Sequence, residues 1–275
     1  MSPCFIRRLT PAGLQPVTYQ AGSLAEAERF EPHDGVYTVA NTFQIYKVLK
    51  LDAHLDRLED SARRVNILLR LDRVRLRAAL RDMIAQAGFG DVRFRVTVAR
   101  EHPDQPLLAI EPFQPPAPEL YTQGVRCITI PDSARRDPAT KTTAWLHERE
   151  RFALPEGVYT ALLLDSEGHI LEGLSSNFYA VRAGELWTAG AGVLPGIAQQ
   201  IVLEIAPPIL PVRREAVLAA DLPSLEEAFI TSSSRGILPV IAIDAVTIGD
   251  GRPGKHTRAL RAAYLDWVAA HLEDL

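Results

Sequence analysis

Lys141 is the only lysine between Lys50 and Lys255, in a chain whose cations are mostly arginine. An amine attacks a carbonyl only when neutral, and burial favours the neutral form. A lysine set apart in this way suits Schiff-base chemistry, although a solvated lysine is the common case. Glu172 closes an apolar run in Ile170-Leu171-Glu172-Gly173-Leu174-Ser175-Ser176-Asn177-Phe178. A carboxylate there is either a turn residue or the partner of a protonated ring nitrogen. Arg57 belongs to a charged, helix-periodic segment, where it is either solvated or directed at an anion that its planar fork matches. Two further segments can cradle an anion. In Leu194-Pro195-Gly196-Ile197-Ala198, the backbone N–H groups of Ile197 and Ala198 fall at a helix start. Thr231-Ser232-Ser233-Ser234-Arg235-Gly236 is a hydroxyl-rich turn after a strand, and it offers Ser233, Ser234 and a guanidinium.

Arg93 and Arg95 lie two apart on an expected strand, so both point to one face. They could grip a substrate carboxylate, or that face could be wet. Arg235 could take the same role, as could Arg100 and His102 from the following loop.

These residues need elements to hold them. Leu51, Leu55, Leu58, Ala62 and Val65 recur at helical steps, which predicts a helix carrying Arg57. A second helix is expected over Arg73–Ala87, ending at Gly88, with strands over Val36–Phe43 and Val92–Ala99. Four prolines between Glu111 and Gly124 predict a stiff extended connector. We therefore expect a small N-terminal α+β domain over residues 1–115, a linker over 116–123 and a larger domain over 124–275 that carries Lys141. In that second part hairpin signals flank Asp165–Gly168 and Gly184, with helices over Gly196–Ala206 and Thr257–Leu272. Strands and helices segregate, which argues for an α+β fold.

The net charge of −4 is spread along the chain, without the basic footprint of a nucleic-acid binder. The two cysteines form no CxxC pair, and no His/Cys cluster has metal spacing, so neither a disulfide framework nor a metal site is expected. No apolar run approaches a membrane span and no leader is evident, so the expected location is the cytoplasm.

Five segments in order, from His33-Asp34-Gly35-Val36-Tyr37 to Pro239-Val240, resemble the class IV aminotransferases, and three are the most specific. These are His54-Leu-Asp-Arg-Leu-Glu-Asp-Ser-Ala62, Glu172-Gly-Leu-Ser-Ser-Asn-Phe178 and Leu194-Pro-Gly-Ile197. That family shares the type IV fold of pyridoxal-phosphate enzymes: a small α/β sandwich, a larger pseudobarrel, and the cofactor between them. The resemblance implies a homodimer using pyridoxal 5'-phosphate, with Lys141 linked to it as a Schiff base and Glu172 at the pyridine nitrogen. It places Arg57, Ile197, Ala198 and Ser233 at the phosphate, Leu194 on the ring and Tyr37 in the active site. Ala198 and Gln199 depart from the usual Thr-Arg, so one hydroxyl contact to the phosphate is missing. The implied activity is transamination between an amino acid, of D or branched-chain type, and a 2-oxo acid. The alternatives are the pyruvate-releasing lyase of the same family and a non-catalytic cofactor-binding relative.

Overall fold

The computed structural model describes residues 4–275. In chain order it contains β1 (Phe5–Thr10), β2 (Gly13–Pro16), α1 (Leu24–Ala27), β3 (Gly35–Phe43), β4 (Lys47–Leu49), α2 (Leu51–Arg64), α3 (Arg73–Ala87), β5 (Val92–Ala99) and β6 (Leu107–Pro112). There follow α4 (Pro118–Gln123), β7 (Val125–Ile130), α5 (Thr143–Glu148), β8 (Thr160–Leu164), β9 (Ile170–Gly173), β10 (Ser176–Arg182) and β11 (Glu185–Trp187). The chain closes with α6 (Ile197–Ile205), β12 (Val212–Arg213), β13 (Glu227–Ser232), β14 (Gly236–Ile243), β15 (Val246–Thr247), α7 (Lys255–Ala270) and β16 (Leu272–Asp274).

Two compact units form. One runs up to Gln114 and adds Thr140–Arg151 and His271–Leu275; the other comprises Pro115–Ala139 and Phe152–Ala270. The first crossing, between Gln114 and Pro115, lies within the proline-rich stretch. The return of Thr140–Arg151, with Lys141, to the first unit was not expected. It has a plain cause: the Lys141 carbonyl accepts the Tyr37 N–H at 3.0 Å, and Thr142 bridges to Val36 on β3. The proline-rich stretch is also less extended than expected. Pro118 opens α4 at its first helical position, where its missing N–H costs nothing.

In the first unit a seven-stranded sheet runs in the order β16-β4-β3-β5-β6-β1-β2. The α2 residues Leu51, Leu55, Leu58 and Ala62 are wholly buried and join Leu76, Leu80, Met83 and Ile84 of α3. Both sets pack with Val36, Phe94, Val96 and Leu108 of the sheet in one core. The side chain of Asp72 accepts the Arg75 N–H at 3.0 Å to start α3. Gly88 ends it at φ 64°, a left-handed conformation that glycine adopts without strain.

In the second unit, β10-β13-β14-β7-β8-β9 form a six-stranded path that the β9–β10 pairing closes into a barrel. The β7 strand runs parallel to both β14 and β8, and the other neighbours within the barrel are antiparallel. All five residues of β8 are buried, because both faces of the strand are covered. One core collects Cys127, Leu162, Leu164, Phe178, Ala180, Ile230 and Val240, residues that alternate along their strands. Helices α6 and α7 pack on β13, and the Glu227 carboxylate caps α7 by accepting the His256 and Thr257 N–H groups at 2.9 and 2.7 Å. The fold is α+β, a small sheet-and-helix unit with a barrel unit.

Candidate active site

The first cluster is built on α2 and β3. His54, Arg57 and Ser61 follow one another at helical spacing, and each reaches a neighbour in the same unit. His54 Nδ1 lies 3.0 Å from Thr38 Oγ1, and Arg57 Nη2 donates to the same hydroxyl at 3.5 Å. Ser61 Oγ accepts the Lys141 N–H at 3.1 Å. With the Tyr37 N–H on its carbonyl, Lys141 is pinned on both sides of its Cα. Its Nζ then sits over the Tyr37 ring, 4.5 Å from the centroid, a cation–π placement. Gly35 of β3 is hemmed in mainly by the backbone of β5 and also by Thr143, just beyond Lys141. A Cβ on Gly35 would lie 2.5 Å from the Val98 carbonyl and 3.3 Å from Thr143 Oγ1.

The cluster is electropositive. Burial, then the charges of Arg57 and Lys141, holds the His54 imidazole well below its ordinary range, so it is neutral at pH 7. Burial also pulls Arg57 down to about 10, with Tyr37 opposing, and the group stays charged at neutral pH. Three cationic or basic side chains around one hydroxyl and one phenol ring make a place that an anion would stabilise.

The second cluster lies in the barrel unit and is assembled largely from backbone. Glu172 and Asn177 face each other across β9 and β10. Together they hold Leu194 at both ends: Glu172 Oε2 accepts its N–H at 3.1 Å, and Asn177 Nδ2 donates to its carbonyl at 2.8 Å. That grip sets the start of α6. Gly196 is its N-cap, with no side-chain capping bond, and a Cβ there would collide with Asn177 Oδ1. The first helical hydrogen bond runs from the Gln200 N–H to the Gly196 carbonyl, so the N–H groups of Ile197, Ala198 and Gln199 have no carbonyl partner in the helix. Beside them Gln199 Nε2 is buried without a hydrogen-bond partner among the described residues. Unmet donors at a helix start fit an oxyanion such as phosphate.

Ser233 and Ser234 occupy the β13–β14 hairpin, where Ser232 pairs with Gly236 across a three-residue loop. Gly236 has φ 62°, as the left-handed position of such a loop demands. Arg235, a candidate carboxylate ligand, is engaged by protein groups. Its guanidinium donates to Ser232 Oγ at 2.7 Å, to the Ser175 carbonyl at 2.8 Å and to Ser175 Oγ at 2.9 Å. Nη1 reaches Tyr159 OH at 3.5 Å, and the Arg235 carbonyl accepts the Tyr121 hydroxyl. Arg235 thus stitches the serine loop to the β9–β10 turn.

Arg93 and Arg95 share a face of β5, and around Arg95 that face is already filled. Arg95 is 2% exposed and pairs with Glu28 and Glu31 at 2.8 Å each, with a further bond to the Leu24 carbonyl. Arg149 completes this buried network by donating to Glu28 at 2.7 Å. A guanidinium so consumed has no position for a substrate, and only the residues before β3, which carry no periodic signal, supply its partners. Arg93 lies 3.5 Å from Glu111 and is partly exposed. Arg100 pairs with Asp34 and two loop carbonyls, and His102 is exposed. Sequence reading assigned no role to Thr38, Ser61, Asn177 or Arg135. The motifs that contain Ser61 and Asn177 were the available signal for those two.

Among the described residues, no group of three or more His, Cys, Asp or Glu side chains could hold a metal ion, and no helix is long and apolar enough to cross a membrane.

The chain is 30% identical over 248 residues to the D-alanine aminotransferase of Bacillus licheniformis, covering 84% of this chain and 86% of that one. It is 28% identical over 253 residues to the D-alanine aminotransferase of Listeria monocytogenes, covering 86% and 87%. A T.th. branched-chain amino acid aminotransferase, solved with pyridoxamine 5'-phosphate, superposes with a TM-score of 0.81 over 98% of this chain and 97% of that one; at 20% identity this likeness speaks for the fold. The model of the amino-transferase class IV family matches residues 35–243, most of the length and every candidate residue above, so the chain belongs to that family and is an aminotransferase.

Proposed function

We propose that this enzyme uses pyridoxal 5'-phosphate to move an amino group between an amino acid, of the D or branched-chain type, and a 2-oxo acid. One observation carries the reading: Lys141 is pinned through both its backbone N–H and its carbonyl, with its amine held against the Tyr37 ring. A solvated lysine has no need of such anchoring.

When bound, the cofactor supplies a reactive carbonyl carbon and an electron-withdrawing ring. The chain's own residues do the rest. Lys141 Nζ would hold that group and would carry the proton to and from the substrate carbon. Glu172 holds the ring nitrogen's proton through a carboxylate oxygen. Arg57, the N–H groups of Ile197 and Ala198, and Ser233 bind the phosphate, and the donors at the start of α6 fit its charge. Leu194, held by Glu172 and Asn177, packs on the ring. Tyr37 and Ser234 border the substrate, while Arg235 shapes the serine loop. The working unit is a homodimer of the cytoplasm, acting on small molecules.

The names of the relatives favour transamination over the lyase and the non-catalytic alternatives. The test is the visible spectrum of the cofactor-loaded protein as D- and L-amino acids are added singly. Loss of the visible band with one hand of donor gives both activity and handedness. A band that no donor discharges would transfer the assignment to the lyase, and absence of any band would end the cofactor reading.

A further inference from the structure

Glu172 has a neighbour that these roles leave without a task. Arg135 lies six residues before Lys141, in a stretch from Pro131 to Ala139 with no helix or strand. Its Nη1 lies 3.3 Å from Glu172 Oε1, and the two side chains are 6% and 5% exposed. The adjacent Arg136 is exposed, so inward placement is particular to Arg135.

The loop is built to deliver that guanidinium. Its first turn is tied to the end of β8: the Ser133 and Ala134 N–H groups both donate to the Leu164 carbonyl, at 3.0 and 3.1 Å. Ser133 Oγ donates to the Ile130 carbonyl at 2.5 Å and accepts the Leu164 N–H at 3.3 Å. Arg135 Nη1 also donates to the Pro138 carbonyl at 3.1 Å, which curls the loop around it. A buried charge is tolerated when a partner compensates it, and Arg135 and Glu172 compensate each other.

The two carboxylate oxygens of Glu172 therefore have separate tasks. Oε1 meets Arg135 and Oε2 meets the Leu194 N–H, so the carboxylate is held from two sides. An anion shared with a permanent cation grips a further proton less tightly than a solitary one. We propose that Arg135 is a positioning residue that acts through Glu172, holding the carboxylate charged and oriented and moderating its hold on the proton of the cofactor's ring nitrogen. This rests on the assignment of Glu172 to that nitrogen.

The test is a double-mutant cycle on the cofactor-loaded enzyme, with R135Q, E172Q and the double variant. Each is read by the pH titration of its visible band and by the rate of the donor half-reaction. We expect R135Q to stay folded and coloured, to shift the pH titration, and to slow the half-reaction with little change in KM. Outer partners of metal-ligating side chains are worth about 10- to 100-fold, and a loss of that order is expected by analogy. In the E172Q background the same change should add nothing, because the residue through which it acts is gone. Wild-type titration and rate in R135Q would overturn the proposal, as would a full R135Q effect that persists in E172Q. If E172Q alone leaves spectrum and rate unchanged, the assignment of Glu172 itself fails, which is a separate result. Should R135Q not fold, R135K carries the same cycle, with a smaller defect expected in the same direction and none in the E172Q background.

Discussion

The cluster around Lys141 and the cluster around Glu172 solve the same problem with different materials. Around Lys141, side chains project from regular elements: His54, Arg57 and Ser61 from α2, Tyr37 and Thr38 from β3. Their directions follow from helical and strand periodicity, and hydroxyls link them. Around Glu172 the working groups are largely backbone, and side chains serve to shape it. Glu172 and Asn177 hold Leu194 by its peptide groups, and Arg235 sews one loop to another. Side-chain chemistry tolerates small shifts of the helix that bears it. A backbone site depends on the turn itself, so glycines and buried amides become indispensable there.

That contrast can be broken by mutation. The largest effect is expected on the side-chain cluster: Lys141→Ala should cut transamination by about 10²–10⁴-fold, the usual worth of a positioned proton carrier, and remove the cofactor's visible linkage band. Stopped-flow turnover with the best donor, together with the absorption spectrum, checks both. Retained colour with unchanged turnover would remove Lys141 from the centre of the site.

Next comes Arg57→Ala, which removes a charged donor from the proposed phosphate contacts. A hydrogen bond to a charged group is worth about 1.5–3 kcal/mol, so cofactor affinity in a dialysis titration should fall roughly 10- to 100-fold. An unaltered dissociation constant would take Arg57 out of that role.

On the backbone cluster, Gly196→Ala forces a methyl group onto Asn177 Oδ1. Overpacking of this kind costs about 1–3 kcal/mol, and thermal denaturation should show it in the protein both with and without cofactor. A variant as stable as the parent, with parental cofactor affinity, would show that the α6 start is more pliant than the contrast requires.

The smallest effect is a pH dependence. The His54 proton affinity is depressed in the folded chain, so between its lowered pKa and about 6.5 the unfolded state binds more protons. Stability from this group is therefore full above about pH 6.5 and falls as the pH drops, by at most about 1.4 kcal/mol per pH unit. His54→Gln should flatten the fall in Tm between pH 7 and pH 5 relative to the parent. Parallel Tm curves would show that His54 titrates alike in both states.

Much of the fold could be read in advance where one periodicity governed a segment. The helices α2 and α3 and the strand β5 lie within a residue of their expected bounds, because alternation and helical spacing each select one buried face. The first strands were not expected. In β1, Arg7 and Arg8 interrupt any alternation, and the strand forms because β6 and β2 pair with it on either side. Among site residues, Lys141, Glu172 and Arg57 stood out through motif order. Arg95 does not fit the role of a carboxylate ligand, because same-face geometry does not say what covers a residue. Glu28 and Glu31 cover it, some sixty residues earlier in the chain.

The sequence by itself determined the residue types that can do this chemistry, their order, and the local elements that carry them, because capping, periodicity and turn propensity act over a few residues. Only the tertiary structure decided which charges are consumed and which are presented. It turned Arg95 and Arg235 into structural ties, set Arg135 against Glu172, and returned the Lys141 segment to β3. Those outcomes depend on contacts between residues far apart in the chain, and burial makes each such contact decisive by denying a charge any partner but the one folded against it.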